Sequence, residues 1–461
     1  MTHPSPPSRD NNLKQLDRLP SVGLLPGIFR KSPFYFLSQA AHDHGGFVRL
    51  KLGLTSVYLV SDPNLFQHIL RDNVKNYRKS PFLYNTVKSM MLGEGLSTSE
   101  GDLWLRQRRM IQPQFHHHRL AFFAGMMTDA IQDVIRVWDR AGEDGDVVDL
   151  GERMARLSME VVSRALFGTT TFTLETTAKI GQDMLSATSY VALRGYMPFI
   201  PKSIPLPGHA RFKSAIASMT QAVDTIITAG EQNGGGDNLI TMLLHAVDDE
   251  TQKGMTHTQL FDEVITIFLA GFETTSTALT WVWSLLAHSP EAEQILRAEI
   301  GTVLGERVPT LEDIPKLIYC RQVLQESMRL YPPVPLLPRT SLAEDEFGGY
   351  RIPKGSIFLM FYYGLHHNPD FWDNPDAFDP LRFSPEQIES RHRFAYLPFS
   401  AGPRQCIGSE FAMMEGVFVL AMLLQRYKIT VVEGQTISPS LSVTLKPSKN
   451  IKARMRRLSG I

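Results

Sequence analysis

Residues Phe47–Ser61, FVRLKLGLTSVYLVS, alternate apolar and polar positions in two short runs broken by a glycine, the period-two pattern of a β-hairpin. Helical periodicity then dominates for about three hundred residues. Its longest apolar stretch, Val264–Ala287 (VITIFLAGFETTSTALTWVWSLLA), is long enough to cross a bilayer, but it carries Glu273 and five threonines. Polar groups at mid-depth are costly in lipid, so the pattern predicts a central helix buried in a soluble protein, with no transmembrane anchor. The run EQNGGGDN, Glu231–Asn238, predicts a flexible loop between two helices. From Gly348 onward, GGYRIPKGSIFLMFYYG, KITVVEGQ and LSVTLKP give strand-like runs among turns. The sum is a mainly α chain with a smaller β-rich part, an α+β fold without internal repeats.

The first twenty residues hold four prolines and no apolar core, so residues 1–20 are expected to form a loose solvated arm and not a signal peptide. Residues 21–461 are expected to be a single large domain. Lys+Arg 47 against Asp+Glu 47 leaves no net charge, and with it no overall field for phosphate backbones, so nucleic acid is not an expected partner. The two cysteines, Cys320 and Cys406, exclude a disulfide framework and any four-cysteine zinc or iron–sulfur site. A reducing, cytoplasmic setting is the default.

The chemistry concentrates in PFSAGPRQCIGSEFAMMEG, beginning at Pro398. A Pro- and Gly-rich loop leads into an apolar helix from about Ile407, so Cys406 falls at a helix start, where free amides and the dipole favour thiolate. Gly402 and Gly408 allow close backbone approach, and Arg404 adds a fixed charge. These residues alone leave three uses open: a nucleophile, a single axial metal ligand, or an inert thiol. In the central helix, Ile267, Ala270, Gly271 and Thr274 recur at i, i+3, i+4 and i+7 and form one stripe of mostly small residues, consistent with a ligand-facing surface or with a Thr-rich core helix.

Phe399, Gly402, Arg404, Cys406 and Gly408 match the F-x-x-G-x-R-x-C-x-G signature of the cytochrome P-450 family, which the chain resembles. Further motifs follow in family order: Trp104 and Arg108 in WLRQRRM, AGFETT at Ala270–Thr275, and Glu326 with Arg329 in LQESMRLYPP. The resemblance runs from the hairpin near Phe47 to the strand at Leu445. It implies one cytochrome P-450 catalytic domain that binds heme b (iron protoporphyrin IX), with the Cys406 thiolate as axial metal ligand. Arg404, Trp104, Arg108 and Arg339 would contact the propionates, while Phe399, Gly402, Gly408, Ala270 and Gly271 would shape the heme site. Glu273 and Thr274 would relay protons to iron-bound dioxygen. Glu326, Arg329 and Arg382 would form a structural network, in which Leu381 of Pro380–Phe383 (PLRF) replaces the family's usual Glu and removes one hydrogen bond.

By the same resemblance the reaction is monooxygenation of a lipophilic small molecule, by hydroxylation or epoxidation. No flavin or iron–sulfur module is legible in the chain, so electrons would come from external proteins, a ferredoxin or flavodoxin with its reductase. Arg106, Arg109, Arg426 and Lys428 offer a basic docking face. Phe82–Met91, Met197–Leu206 and Val334–Leu337 are the apolar segments expected at the substrate. An isomerase or dehydratase would not need the Glu273–Thr274 pair, a peroxygenase would be expected to carry an arginine in the Ile267–Thr274 stripe, and a heme sensor would need neither the pair nor a docking face. Consecutive His116, His117 and His118 point different ways on a helix and do not read as a metal site. His366, His367 and Cys320 read as structural.

Overall fold

The computed structural model describes residues 14–23, 32–52, 55–140, 145–168, 174–196, 200–201, 203–233 and 238–458. Its principal helices are α1 (Pro33–His44), α2 (Gly101–Ile111), α3 (His117–Arg140), α4 (Leu150–Phe167), α5 (Leu174–Tyr196) and α6 (His209–Asn233). After these come α7 (His257–Ala287), α8 (Pro290–Leu304), α9 (Ile318–Leu330), the single turn α10 (Tyr362–His366) and α11 (Ser409–Arg426). The expected central helix is α7, and it starts seven residues earlier than its apolar run, because Thr256 caps it by accepting the Gln259 N–H at 3.2 Å. Along most of its length α7 is buried, packed most closely on α4 and also on α9 and α11. α9 stops at Leu330, ahead of Pro332 and Pro333, as a residue before proline disfavours helix.

The strands are β1 (Lys14–Gln15), β2 (Ser21–Gly23), β3 (Phe47–Leu52), β4 (Thr55–Val60), β5 (Tyr77–Lys79), β6 (Val147–Asp149) and β7 (Leu336–Ser341). They continue with β8 (Asp345–Phe347), β9 (Tyr350–Ile352), β10 (Ile357–Phe361), β11 (Tyr427–Val431), β12 (Pro439–Leu441), β13 (Leu445–Pro447) and β14 (Lys452–Arg457). The expected hairpin is β3–β4, antiparallel with Leu50 opposite Val57, and it sits inside a six-stranded sheet ordered β2-β3-β4-β10-β7-β5. Val48, Leu50, Leu59 and Phe361 form a small core under α1, separate from the main helical core. β14 lies between β11 and β6, so residues of the last strand pair with Val147–Asp149.

Two expectations change. The loose arm does not reach residue 20: Lys14–Gln15 pair with Tyr350–Arg351, and Leu16 and Leu19 are buried, because two leucines gain more from the β-rich core than from water. Of the glycine-run loop, Glu231–Asn233 belong to α6, while 234–237 lie outside the described residues, as do 1–13.

Candidate active site

Between Glu263 and Ser284 every residue of α7 is buried except Ile267, Ala270, Gly271 and Thr274. The stripe read from the sequence is therefore the one uncovered face of this stretch, and Ala270 is its most exposed member. Gly271 has a second reason to be glycine: an ideal Cβ there would fall 3.0 Å from Val162 Cγ2 of α4, so its missing side chain sets the helix–helix approach. The Thr274 hydroxyl donates to the Ala270 carbonyl at 2.7 Å. Glu273 turns away from the stripe, where its Oε1 accepts the Thr444 hydroxyl at 3.0 Å and pairs with Lys446 Nζ at 2.8 Å. Lys446 is part exposed and Glu273 is buried, so the acid is linked to solvent through one lysine.

The cysteine loop is tightly wound. The Cys406 N–H donates to the Phe399 carbonyl at 3.0 Å and the Gln405 N–H to that of Gly402 at 3.0 Å. Gly402 is at φ +69°, with an ideal Cβ only 1.9 Å from the Leu70 carbonyl oxygen, so no larger residue fits. Cys406 sits three residues before α11 and is reachable from solvent. On the longer scale that matters for charge it is surrounded by protein. Burial accordingly pushes its thiol above the ordinary cysteine range, against the opposing pull of the Gly408 N–H and the Arg108 guanidinium. The helix start alone thus does not make the thiolate that the sequence suggested. A cation at the sulfur is needed as well.

Three cations gather near this loop. Arg404 donates to the Ser99 carbonyl at 3.1 Å and Glu100 Oε2 at 2.6 Å, and its guanidinium lies 3.6 Å from the centre of the Trp104 ring. Burial holds it down to about 10. Arg339 is 5% exposed and donates to its neighbour's carbonyl, that of Pro338, at 3.0 Å. Lys79, which sequence reasoning missed, donates to the carbonyls of Leu96 and Ser99. Burial together with Arg404 and Arg339 forces it down to about 6, with Glu100 pulling the other way. Arg108 stands apart from the group. It holds the Gln405 carbonyl at 2.6 Å and Gln112 at 2.7 Å, bracing the backbone next to Cys406.

Glu326 and Arg329 are both fully buried and meet through two hydrogen bonds, of 2.7 and 2.8 Å. Arg329 also donates to the carbonyls of His366, Pro375 and Ala377, and Glu326 accepts the Asp379 N–H at 3.0 Å. Arg382 lies 3.4 Å from Glu326, and Arg391, also missed, stacks 4.0 Å above Trp372. Leu381 is 58% exposed, so this side chain points away and the buried pair is satisfied without a glutamate there.

The four residues of the expected basic face are each paired within the chain: Arg109 with Asp248 and Glu250, Arg426 with Asp139, Lys428 with Glu293, and Arg106 with Gln259 and two backbone carbonyls. Each carboxylate comes from a distant part of the chain, which the local pattern does not show. Cys320 is fully buried, with its N–H and that of Tyr319 given to Glu299. Among the described residues no cluster of His, Cys, Asp and Glu could hold a metal ion, and no helix is long and apolar enough to cross a membrane. The side chains of His117, His118, Phe82 and Leu83 lie outside the described residues, as do residues 197–199 and 202.

The chain is similar over most of its length to known proteins. Cyclooctatin synthase of Streptomyces melanosporofaciens is 35% identical over 433 residues, covering 92% of each chain. Cyclooctat-9-en-7-ol 5-monooxygenase of the same organism is 35% identical over 91% of this chain and 90% of its own, and pentalenene oxygenase of Streptomyces avermitilis is 27% identical over 95% of each. Among solved structures, the heme domain of cytochrome P450DA superposes with a TM-score of 0.87 at 26% identity, covering 96% of this chain and 98% of that one. The family model for cytochrome P450 matches residues 14–455, and the chain belongs to that family.

Proposed function

We propose that this protein is a heme-thiolate monooxygenase that inserts one atom of dioxygen into a cyclic, lipophilic alkene or alkenol, with Cys406 as axial ligand. The observation that carries the reading is the uncovered face of α7, Ile267, Ala270, Gly271 and Thr274, on a stretch, Glu263–Ser284, that is otherwise buried. A flat hydrophobic group lying against that face covers it. The residues present fit heme b in three respects: a reachable Cys406 at the end of a rigid loop, an uncovered stripe of mostly small residues on α7, and buried positive charge at Arg339 and Arg404 with Lys79 beside them able to take a proton when two propionates arrive. Heme b supplies the redox iron at which dioxygen is reduced and split.

Within this reading Cys406 gives up its raised proton when it meets the metal. Arg404, Arg339, Lys79 and Trp104 hold the propionate edge, and Arg108 keeps Gln405, and hence the sulfur, in place. Thr274 frees its hydroxyl from the Ala270 carbonyl by rotating χ1 and donates towards the bound substrate side. Glu273, fed from solvent through Lys446, would replace the proton on rotating from Thr444 and Lys446 toward the stripe. One oxygen atom enters a C–H or C=C bond, the other leaves as water, and two electrons and two protons balance the step. The electrons come from separate carrier proteins, in a cytoplasmic setting. The substrate class is drawn from the names of the two Streptomyces oxygenases, whose substrates are an alkenol and an alkene, and from the apolar Val334–Leu337 segment.

The first test is the absorption spectrum of the reduced, carbon-monoxide-bound protein, with Cys406→His beside it. A thiolate-type Soret band that vanishes in the variant is the expected result, and a histidine-type band in folded wild type sinks the reading. For the relay, Thr274→Ala should keep consuming reductant and oxygen while product falls and peroxide or excess water rises. Unchanged coupling to product would remove Thr274 from the mechanism.

A further inference from the structure

The loop that delivers Cys406 is bent in a way one of its residues resists. Ser400 lies at φ +60°, in the left-handed region that side chains rarely adopt, and two residues later Gly402 presses against the Leu70 carbonyl. Something must hold Ser400 there. The Tyr362 hydroxyl meets Ser400 Oγ at 2.8 Å, and Tyr362 is itself buried, its ring fixed edge-on by Phe66 at 5.0 Å. One turn along the same short helix, His366 is fully buried and accepts the Leu397 N–H on Nε2 at 2.9 Å. Burial keeps the imidazole well below its ordinary range, so the ring is neutral and that nitrogen is free to accept.

The spacing is matched on both sides. Tyr362 and His366 are i and i+4, on one face of α10, while their partners Ser400 and Leu397 are three residues apart in the loop. The His366 carbonyl in turn takes the Arg329 guanidinium at 2.9 Å, so the buried Glu326–Arg329 network is continuous with the segment that ends in the cysteine.

We infer that α10 is the clamp of the cysteine loop, and that Tyr362 and His366 are positioning residues which fix where Cys406 presents its sulfur. The inference rests on the reading of Cys406 as heme ligand. A hydroxyl pair that only satisfied two buried groups would be indifferent to the backbone of residue 400. A clamp opposing strain is not, since Ser400→Ala and Ser400→Gly lose the same hydroxyl but glycine adopts φ +60° at no steric cost, so only the alanine variant should loosen the loop.

The experiment uses the heme-loaded full chain. The reduced, carbon-monoxide-bound spectrum is followed through a urea series at concentrations where far-UV circular dichroism is unchanged, and the ratio of thiolate-ligated to thiolate-detached band is read. Tyr362→Phe should raise the detached proportion about fivefold at a given urea concentration, the scale of one buried hydrogen bond. Ser400→Ala, which keeps the strain and loses the hydroxyl, should give the same rise, and it takes the place of Tyr362→Phe should that variant leave no window below unfolding. Ser400→Gly, which loses the same hydroxyl and relieves the strain, should change the ratio by less than about twofold. An unchanged ratio in Tyr362→Phe or Ser400→Ala, or an equal rise in Ser400→Ala and Ser400→Gly, overturns the clamp. A wild-type protein without a thiolate-type band overturns the ligand reading itself, and the clamp with it.

Discussion

Two buried clusters of charge in this chain treat their arginines in opposite ways. At Arg329 each guanidinium nitrogen donates, to Glu326 or to the carbonyls of His366, Pro375 and Ala377, and the carboxylate is equally well served. At Lys79, Arg339 and Arg404 two guanidiniums and burial keep the lysine mostly unprotonated at neutral pH beside a single hydrogen-bonded carboxylate, Glu100, and Arg339 donates to its neighbour's carbonyl. The first cluster is complete in itself and belongs to the fold. The second breaks the rule that buried charge is paired, and such breaches mark places built to meet something else.

The largest expected effect tests the complete cluster. Arg329→Ala leaves buried Glu326 without its bidentate partner, with Arg382 at 3.4 Å and the Asp379 N–H still against it, and should cost about 3–5 kcal/mol, enough to abolish folding or lower the melting temperature by many degrees. A variant that melts like wild type would show that the network is not structural. Arg339→Met and Lys79→Met should do the reverse to the heme-free protein, leaving its melting temperature unchanged or higher, because the first removes a buried cation and the second a buried amine kept mostly unprotonated by its neighbours. Loaded with heme, each should lose it to a scavenging apoglobin at least about tenfold faster. Equal loss rates would erase the distinction between the clusters.

A smaller effect concerns pH. Glu263, buried and given only the Leu96 N–H, is pushed up to about 8, so between the ordinary carboxylate range and 8 the folded chain holds a proton that the unfolded chain has lost. Its contribution to stability therefore falls as pH rises. Lys79, forced down to about 6, binds fewer protons folded than unfolded above that value, so its contribution rises with pH. From pH 6 to 8 the two slopes oppose. Relative to wild type, melting curves of heme-free protein should show Glu263→Gln gaining stability with pH and Lys79→Met losing it, each by about 2 kcal/mol across the window. Parallel pH profiles in the two variants would refute this pairing. The smallest effect is at Leu381, where restoring glutamate at an exposed position should shift stability by less than about 0.5 kcal/mol.

What the sequence showed and what it hid follow from distance along the chain. The cysteine loop, the α7 stripe and Glu326–Arg329 are local patterns, and each lies where its periodicity or spacing predicted. Lys79, Glu263 and Arg391 carry no local sign, since their roles exist only once β5, α7 and the segment after Phe383 come together. The four basic residues are plain in the sequence, while their partners Asp139, Asp248, Glu293 and Gln259 arrive from elsewhere in the chain. Gly271 was half legible. A small residue at that spacing was evident, but only the packed helices show that its missing Cβ faces Val162.

The link between α7 and the hairpin at β12–β13 bears on how the chain is made. Glu273 finds Thr444 only 171 residues later, Trp281 donates to the Leu445 carbonyl, and Lys446 completes the pair. While a ribosome is still adding residues before 444, the helix at the centre of the molecule carries an acid with neither of these partners. This part of the core therefore closes only once residues 444–446 have been added, and until then the nascent chain exposes apolar surface that favours chaperone engagement.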